Sequence, residues 1–385
     1  MAYEVVRFPY DGAIDADGHI LEPADLWESY LEERFKDRAI QIKLDDEGLE
    51  YLEINGQKST RTHSGTLGLL GAMGDPDAAP SPERRYTESM PFGASNAGER
   101  VDLLDQENLD KALLYPTLGI LWEVEVEDAE LADAYTRAYN RWIADFCGDS
   151  GGRLVPIAHL SMLDIDRAVV ELERAVKDGC KGGFVAPFTH SKVPHGHSDH
   201  DALWAKAAEL GVPMTIHPTF DLPSNLPQRF ALDSFGPAAA WYYNVLGRQG
   251  AQQALLSFFA FGTLEKFPDL QLGILEVGAG WVGSMLDRMD AVYDTITGKN
   301  VPLKELPSTY FKQQCFVSGD PDEHAAAATY EYVGSDRFMW ATDYPHPDHT
   351  GTWVHDLLGL VEGLDEETRQ RILGRNVAEI YHLDA

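Results

Sequence analysis

The chain has 385 residues, with 63 acidic and 31 basic side chains, a formal net charge of -32 and a hydrophobic fraction of 44%. That apolar content fills a core and excludes a disordered chain, while so acidic a surface repels nucleic-acid backbones and anionic lipid. Its expected partner is a small molecule.

No apolar run approaches the ~18–20 residues that cross a bilayer. The opening MAYEVVRFPYDG lacks the basic and apolar segments of a signal peptide. Cys147, Cys180 and Cys315 lie far apart and form no CxxC pair, so buried reduced thiols and a soluble cytoplasmic protein are expected.

In chain order, the first strand is read at GAIDADGHI (12–20). Residues 40–60 form a hairpin, with turns near Asp46-Glu47-Gly48 and Asn55-Gly56. Residues 61–98 are rich in Gly, Pro, Ser and Ala and read as an irregular insertion lying over the mouth of the fold or against another subunit. Beyond about residue 110, short β-rich runs alternate with helical spacing. The strands are KALLYPT (111–117), LVPIAHLSM (154–162), GGFVAP (182–187), VPMTIHPT (212–219), LQLGILEVG (270–278), CFVSGD (315–320) and RFMWATD (337–343). Between them run helices such as DIDRAVVELERAVKDG, started by Asp164 and Asp166 and stopped at Gly179. The chain closes with DEETRQRILGRNVAEIYHL, an acidic-capped amphipathic helix. Repeated strand–helix units require a parallel sheet. Eight such strands favour a (β/α)8 TIM barrel, one domain over 1–385 with a hairpin and loop insertion at about 40–98.

In such a barrel, reactive groups stand at the carboxyl ends of the strands. The first predicted strand ends in Asp17-Gly18-His19, the fifth in His217, the sixth in Glu276 and the eighth in Asp343. The third carries His159, read as a hydrogen-bonded core residue, and the seventh Ser318 and Asp320. Asp17 and His19, two apart, face the same way. Imidazole and carboxylate suit zinc, manganese or iron, and an acid buried there without a partner would cost several kcal/mol. Asp17, His19, His217 and Asp343 are therefore the expected metal ligands. GAGW after Glu276 lacks the GxGxxG or Walker spacing of a phosphate cradle.

The motifs DADGHILEPADLW, TIHPTF, FGTLEKFPDLQLGILEVGAGW, FMWATDYPHPD and RILGRNVAEIYHL resemble the decarboxylase-related branch of the amidohydrolase superfamily. That branch includes aminocarboxymuconate semialdehyde decarboxylase and the resorcylate decarboxylases. The resemblance runs from about residue 13 to the end. It implies a (β/α)8 barrel and one divalent metal on Asp17, His19, His217 and Asp343, with His346 lining the pocket. Asp17 stands where relatives often carry His and sometimes Glu. Glu276 stands where decarboxylases of the branch carry a His, and the lysine that bridges two metals elsewhere in the superfamily has no counterpart, since Lys181 only starts its strand.

The chemistry expected is C–C or C–N cleavage of a small organic acid, amide or ring-derived substrate by a metal-dependent hydrolase or lyase. Asp343 would shuttle a proton, Glu276 would serve as base or additional ligand, and Phe220, Trp281 and Tyr344 would wall the pocket. Two alternatives stay open. One is a dinuclear iron or manganese oxygenase, similar to isobutylamine N-hydroxylase, with a second metal at Glu276 and His346. The other is a non-catalytic structural partner of an active homologue. A homo-oligomer, or a hetero-oligomer with a homologous subunit, is expected by family analogy.

Overall fold

Strands form where the β-branched and apolar runs were read: β1 (Ala13–Ile20), β2 (Gln41–Leu44), β3 (Glu50–Ile54), β4 (Gln57–Lys58), β5 (Leu109–Pro116), β6 (Leu154–His159), β7 (Gly182–Val185), β8 (Met214–Ile216), β9 (Leu272–Ile274), β10 (Cys315–Gly319) and β11 (Phe338–Trp340). The structure, a computed structural model, describes residues 3–220, 237–347 and 349–384. Eight strands make one sheet in the order β1-β5-β6-β7-β8-β9-β10-β11, and each neighbouring pair in it is parallel. The ends of this sheet meet: Asp343 N donates to Asp17 O at 3.1 Å and His19 N to Tyr344 O at 2.8 Å. The sheet thus curls into the expected (β/α)8 barrel, with helices on its outside.

Inside the barrel, Ile14, Ala16, Leu113, Tyr115, Val155, Ile157, Phe184, Leu275, Phe316 and Met339 pack together, joined by Val377, Ile380 and Tyr381 from the carboxyl terminus. Gly273 makes room for this filling, because a Cβ there would sit 2.2 Å from the Phe316 ring. A second, larger apolar cluster lies between the strands and the helices.

The capping signals act as read. The Asp164 carboxylate accepts from Arg167 N at the start of the helix Ile165–Lys177, and Gly211 ends the helix Asp201–Leu210 in a left-handed conformation. The last helix departs from expectation. It runs as Glu366–Gln370, a wider π turn over Arg371–Arg375, and Asn376–Ile380.

The hairpin is present, with β4 adding a short third strand. Its turn at Asn55-Gly56 takes positive φ at both residues, 53° and 72°, the pair a tight right-twisted hairpin needs. Residues 61–98 run past the β1/β11 seam: Met73 N donates to Pro345 O at 3.2 Å, the Tyr86 hydroxyl to Glu22 O at 2.9 Å and Leu21 N to Ala94 O at 2.7 Å. All three cysteines are buried free thiols. No helix among the described residues is long and apolar enough to cross a membrane.

Candidate metal centre

The site is built first by a slip in β1. Asp15 pairs with Ala112 and Gly18 with Leu114, so three steps along β1 match two along β5. Such a bulge reverses the alternation of faces. Ile14 and Ala16 point into the barrel below it, and Asp17 and His19 do so above it, both fully buried.

The other strands are shorter than their hydrophobic runs suggested. β8 stops at Ile216, β9 at Ile274 and β11 at Trp340. His217, Glu276 and Asp343 therefore lie just past strand ends. Glu276 and Asp343 take left-handed backbone angles, φ 51° and 55°, rare for residues with a side chain and a recurrent feature of functional turns. The Glu276 turn is pinned from β10 and the loop that follows it. Ser318 Oγ accepts from Glu276 N at 3.2 Å, and the Glu323 carboxylate accepts from Ala279 N and Gly280 N at 2.5 and 2.6 Å.

Three of the four expected ligands, Asp17, His19 and His217, come together with Glu276, while Asp343 groups with His19 and His346. Asp17, His19, His217 and Glu276 each offer an atom within 4.8 Å of the others, and so do His19, Asp343 and His346. His19 Nε2 lies 3.1 Å from His217 Nε2, 3.7 Å from Asp17 Oδ1 and 3.2 Å from Asp343 Oδ1. His217 Nε2 lies 3.5 Å from Asp17 Oδ1 and 3.3 Å from Glu276 Oε2.

The tautomers show what this cluster needs. His19 Nδ1 sits 2.8 Å from Pro116 O, and His217 Nδ1 sits 2.6 Å from Pro218 O. A carbonyl only accepts, so each Nδ1 carries the proton, and each neutral ring turns a bare Nε2 lone pair on the other. Both Asp17 carboxylate oxygens are buried and make no hydrogen bond among the described residues. Two lone pairs and an ungripped carboxylate require a positive charge between them. Burial, then His346 and His217, hold His19 well below the usual imidazole range, as a neutral ligand should be. Burial also pulls His217 down, but Asp17 and Glu276 outweigh it and raise the group. Either a proton on His217 or a metal ion satisfies the pocket. The 3.1 Å spacing suits both, since an N–H···N hydrogen bond and two nitrogens bound to one ion each bring the rings to about this distance.

Beside this cluster, His346 Nδ1 meets Asp343 Oδ1 at 2.8 Å and its Nε2 meets the Thr117 hydroxyl at 3.0 Å. Both ring nitrogens are engaged. Glu276 lies on the His217 side and His346 on the Asp343 side, so the two do not form a separate second cluster. Thr117 is itself held by Glu22, whose carboxylate accepts from the backbone N–H groups of Thr117, Leu118 and Gly119.

The aromatic residues divide. Phe220 packs with Val124, Ala186 and Phe188. Trp281 packs on the outer core and donates its indole N–H to Gly278 O at 2.7 Å. Tyr344 turns to the outside of the seam: its ring lies 4.7 Å from that of Tyr3 and 4.8 Å from the Arg100 guanidinium, and its hydroxyl donates to Phe92 O. That packing replaces the pocket-wall role read from its position beside Asp343. His159 is the core residue expected, its Nε2 2.9 Å from the buried Glu123 carboxylate.

Sequence reading missed His349, whose Nε2 lies 3.5 Å from Asp343 Oδ2. It also missed Thr117, Glu22 and Glu323. His349 follows the DYPHP motif by only two residues and was within reach of the same reading. Glu22 lies three residues after His19 in the same motif, while Thr117 and Glu323 act from distant segments and carry no local signal.

The model for the family described as amidohydrolase matches residues 14–383. The chain belongs to the amidohydrolase family. Within it the chain falls in the decarboxylase-related branch. A gamma-resorcylate decarboxylase of Polaromonas sp. strain JS666 is 25% identical over 299 residues, 74% of this chain and 87% of that one. Among solved structures, an amidohydrolase from Mycobacterium avium subsp. paratuberculosis superposes with a TM-score of 0.80 at 21% identity, covering 96% of this chain and 99% of that one. A dihydroxybenzoic acid decarboxylase from Polaromonas sp. JS666, solved with manganese and the inhibitor 2-nitroresorcinol, gives 0.65 at 18% identity, with 98% of both chains covered. Two of these relatives are named as decarboxylases of aromatic acids, one of them solved with manganese.

Proposed function

We propose that this amidohydrolase is a metal-dependent decarboxylase of a small hydroxylated aromatic acid, with a single divalent ion, manganese in the first instance. One observation carries the reading: two imidazoles with opposed Nε2 atoms meet Asp17 and Glu276 in one cluster at the barrel mouth, and Asp343 adjoins it through His19. The decarboxylases among its relatives, one of them holding manganese, supply the reaction class.

Asp17, His19, His217 and Asp343 would hold the ion, which when bound draws the substrate's oxygens into place and withdraws charge from them. Asp343, protonated, delivers its proton to the ring carbon that bears the carboxylate. The bond to the carboxylate then breaks, its electron pair restores the ring, and carbon dioxide leaves. His346 returns a proton to Asp343 through the Nδ1 contact. Glu276 accepts the proton of a ring hydroxyl and so feeds electron density towards the carbon being protonated.

A second reading, hydrolysis, is favoured by one feature. Glu276, a carboxylate 3.3 Å from His217 Nε2, would take a proton from water. One experiment separates the two. Manganese-loaded protein is incubated with a panel of mono- and dihydroxybenzoates and, separately, with aryl amides and lactones. Release of carbon dioxide from a hydroxybenzoate supports the decarboxylase. Turnover of amides or lactones alone replaces it with a hydrolase.

A further inference from the structure

The bulge that turns Asp17 and His19 inward leaves Asp15 on the outer face of β1. Its carboxylate is buried, with Oδ1 accepting from Thr342 N at 2.9 Å and from Asp17 N at 3.3 Å. Oδ2 accepts from the Thr342 hydroxyl at 2.6 Å, and that hydroxyl oxygen in turn accepts from Tyr344 N at 2.9 Å. One carboxylate therefore grips the chain on both sides of the barrel seam. On one side it holds the amide of Asp17. On the other it holds, directly and through Thr342, the amides that flank Asp343.

Burying that carboxylate is costly, and the Arg100 charge acts against the cost. Arg100, on the helix Ala97–Glu107, is also buried and passes over Gly18. A Cβ on Gly18 would sit 2.8 Å from Arg100 Nη2 and 2.9 Å from Asp15 Oδ2. The glycine between the two candidate ligands of DADGH is thus required by the layer behind them. Arg100 is fixed in turn over the Tyr344 ring.

We infer that Asp15, held by Thr342 and countered by Arg100, is a positioning residue that fixes Asp17 against Asp343 across the seam and so sets the affinity of the site for its divalent ion. The inference rests on the metal reading above. Partners one layer behind the ligands change affinity because they decide where the ligands stand before the ion arrives. Loss of such a partner typically weakens metal binding ~10–100-fold.

The test compares full-length wild type with Thr342→Val, Thr342→Ser and Asp15→Asn, each stripped of metal and titrated with manganese by calorimetry and by electron paramagnetic resonance. Thr342→Val, which keeps shape and loses the hydroxyl, should raise the manganese Kd ~10–100-fold and alter the resonance line shape of the bound ion. Thr342→Ser, which restores the hydroxyl, should return both to wild-type behaviour. The melting temperature of the stripped proteins is read alongside. A Thr342→Val protein that melts lower yet binds manganese with wild-type Kd and line shape would show that the network only closes the barrel, and would overturn the inference. Should Asp15→Asn not fold, the two threonine variants decide alone. Wild-type protein that takes up no manganese, zinc or iron would remove the metal reading itself, and this inference with it.

Discussion

His19 and His217 face each other through their Nε2 atoms at 3.1 Å, each ring anchored by its Nδ1 on a backbone carbonyl. The arrangement is unfavourable for two neutral rings and favourable around a cation. The fold enforces it, since one ring stands on β1 and the other follows β8, with Asp17 beside both.

Removing a ring should therefore remove the ion and the stability it brings. An ion present at a hundred times its Kd stabilises the fold by ~2.7 kcal/mol. In wild type, a chelator should lower the melting temperature by a few degrees. In His217→Ala the chelator should change nothing. Thermal melts with and without chelator check this, and equal shifts in both proteins would contradict it.

Under the proposed function Glu276 acts as a base. Glu276→Gln keeps its shape and should lower turnover by ~10²–10⁴-fold while the bound metal per chain stays constant. Loss of metal along with turnover would make Glu276 a ligand instead. Wild-type turnover would make it structural.

Tyr344 stands next to Asp343 in sequence but outside the seam in space. Tyr344→Phe loses one hydrogen bond, to Phe92 O, which costs about 1 kcal/mol of stability. Turnover on the preferred substrate should be unchanged. A fall in kcat would return Tyr344 to the pocket wall.

Behind the seam, burial pushes Glu107 up to about 7, against the lowering effects of the Tyr3 hydroxyl and Arg100. The folded value lies above the unfolded one, so the folded state favours the protonated acid. Below about pH 4.5 the group costs nothing. As pH rises from about 4.5 to about 7 it subtracts stability, up to about 3 kcal/mol. Glu107→Gln keeps an acceptor for Tyr3 and should flatten this stretch of the stability–pH curve, leaving the variant more stable than wild type at pH 8. Denaturant melts across that range check the sign. A variant less stable than wild type at pH 8 would reverse it.

Asp17, His19, His217 and Asp343 were legible in the sequence because barrel strands announce themselves by apolar runs and polar residues at their ends are few. The architecture was legible for the same reason. The manner of convergence was not. The slip between Asp15 and Gly18 leaves no mark in composition, yet it decides which residues of DADGH face inward. Glu276 and Asp343 looked like strand residues, but left-handed backbone angles aim them, and those angles follow from contacts with Ser318 and Asp17, remote in sequence. Thr117 reaches His346 across 229 positions. Tyr344 failed as a pocket residue because its ring packs on Tyr3 and Arg100 behind the seam.

The most direct test of a single metal centre is anomalous diffraction from crystals of the full chain grown with manganese and measured near the metal's absorption edge. A metal centre predicts one strong peak at the barrel mouth, about 2.0–2.3 Å from His19 Nε2 and His217 Nε2 and against the Asp17 carboxylate. No peak there, with the two rings still facing each other at hydrogen-bond distance, would mean that a proton holds the cluster together and would contradict a metal-dependent enzyme.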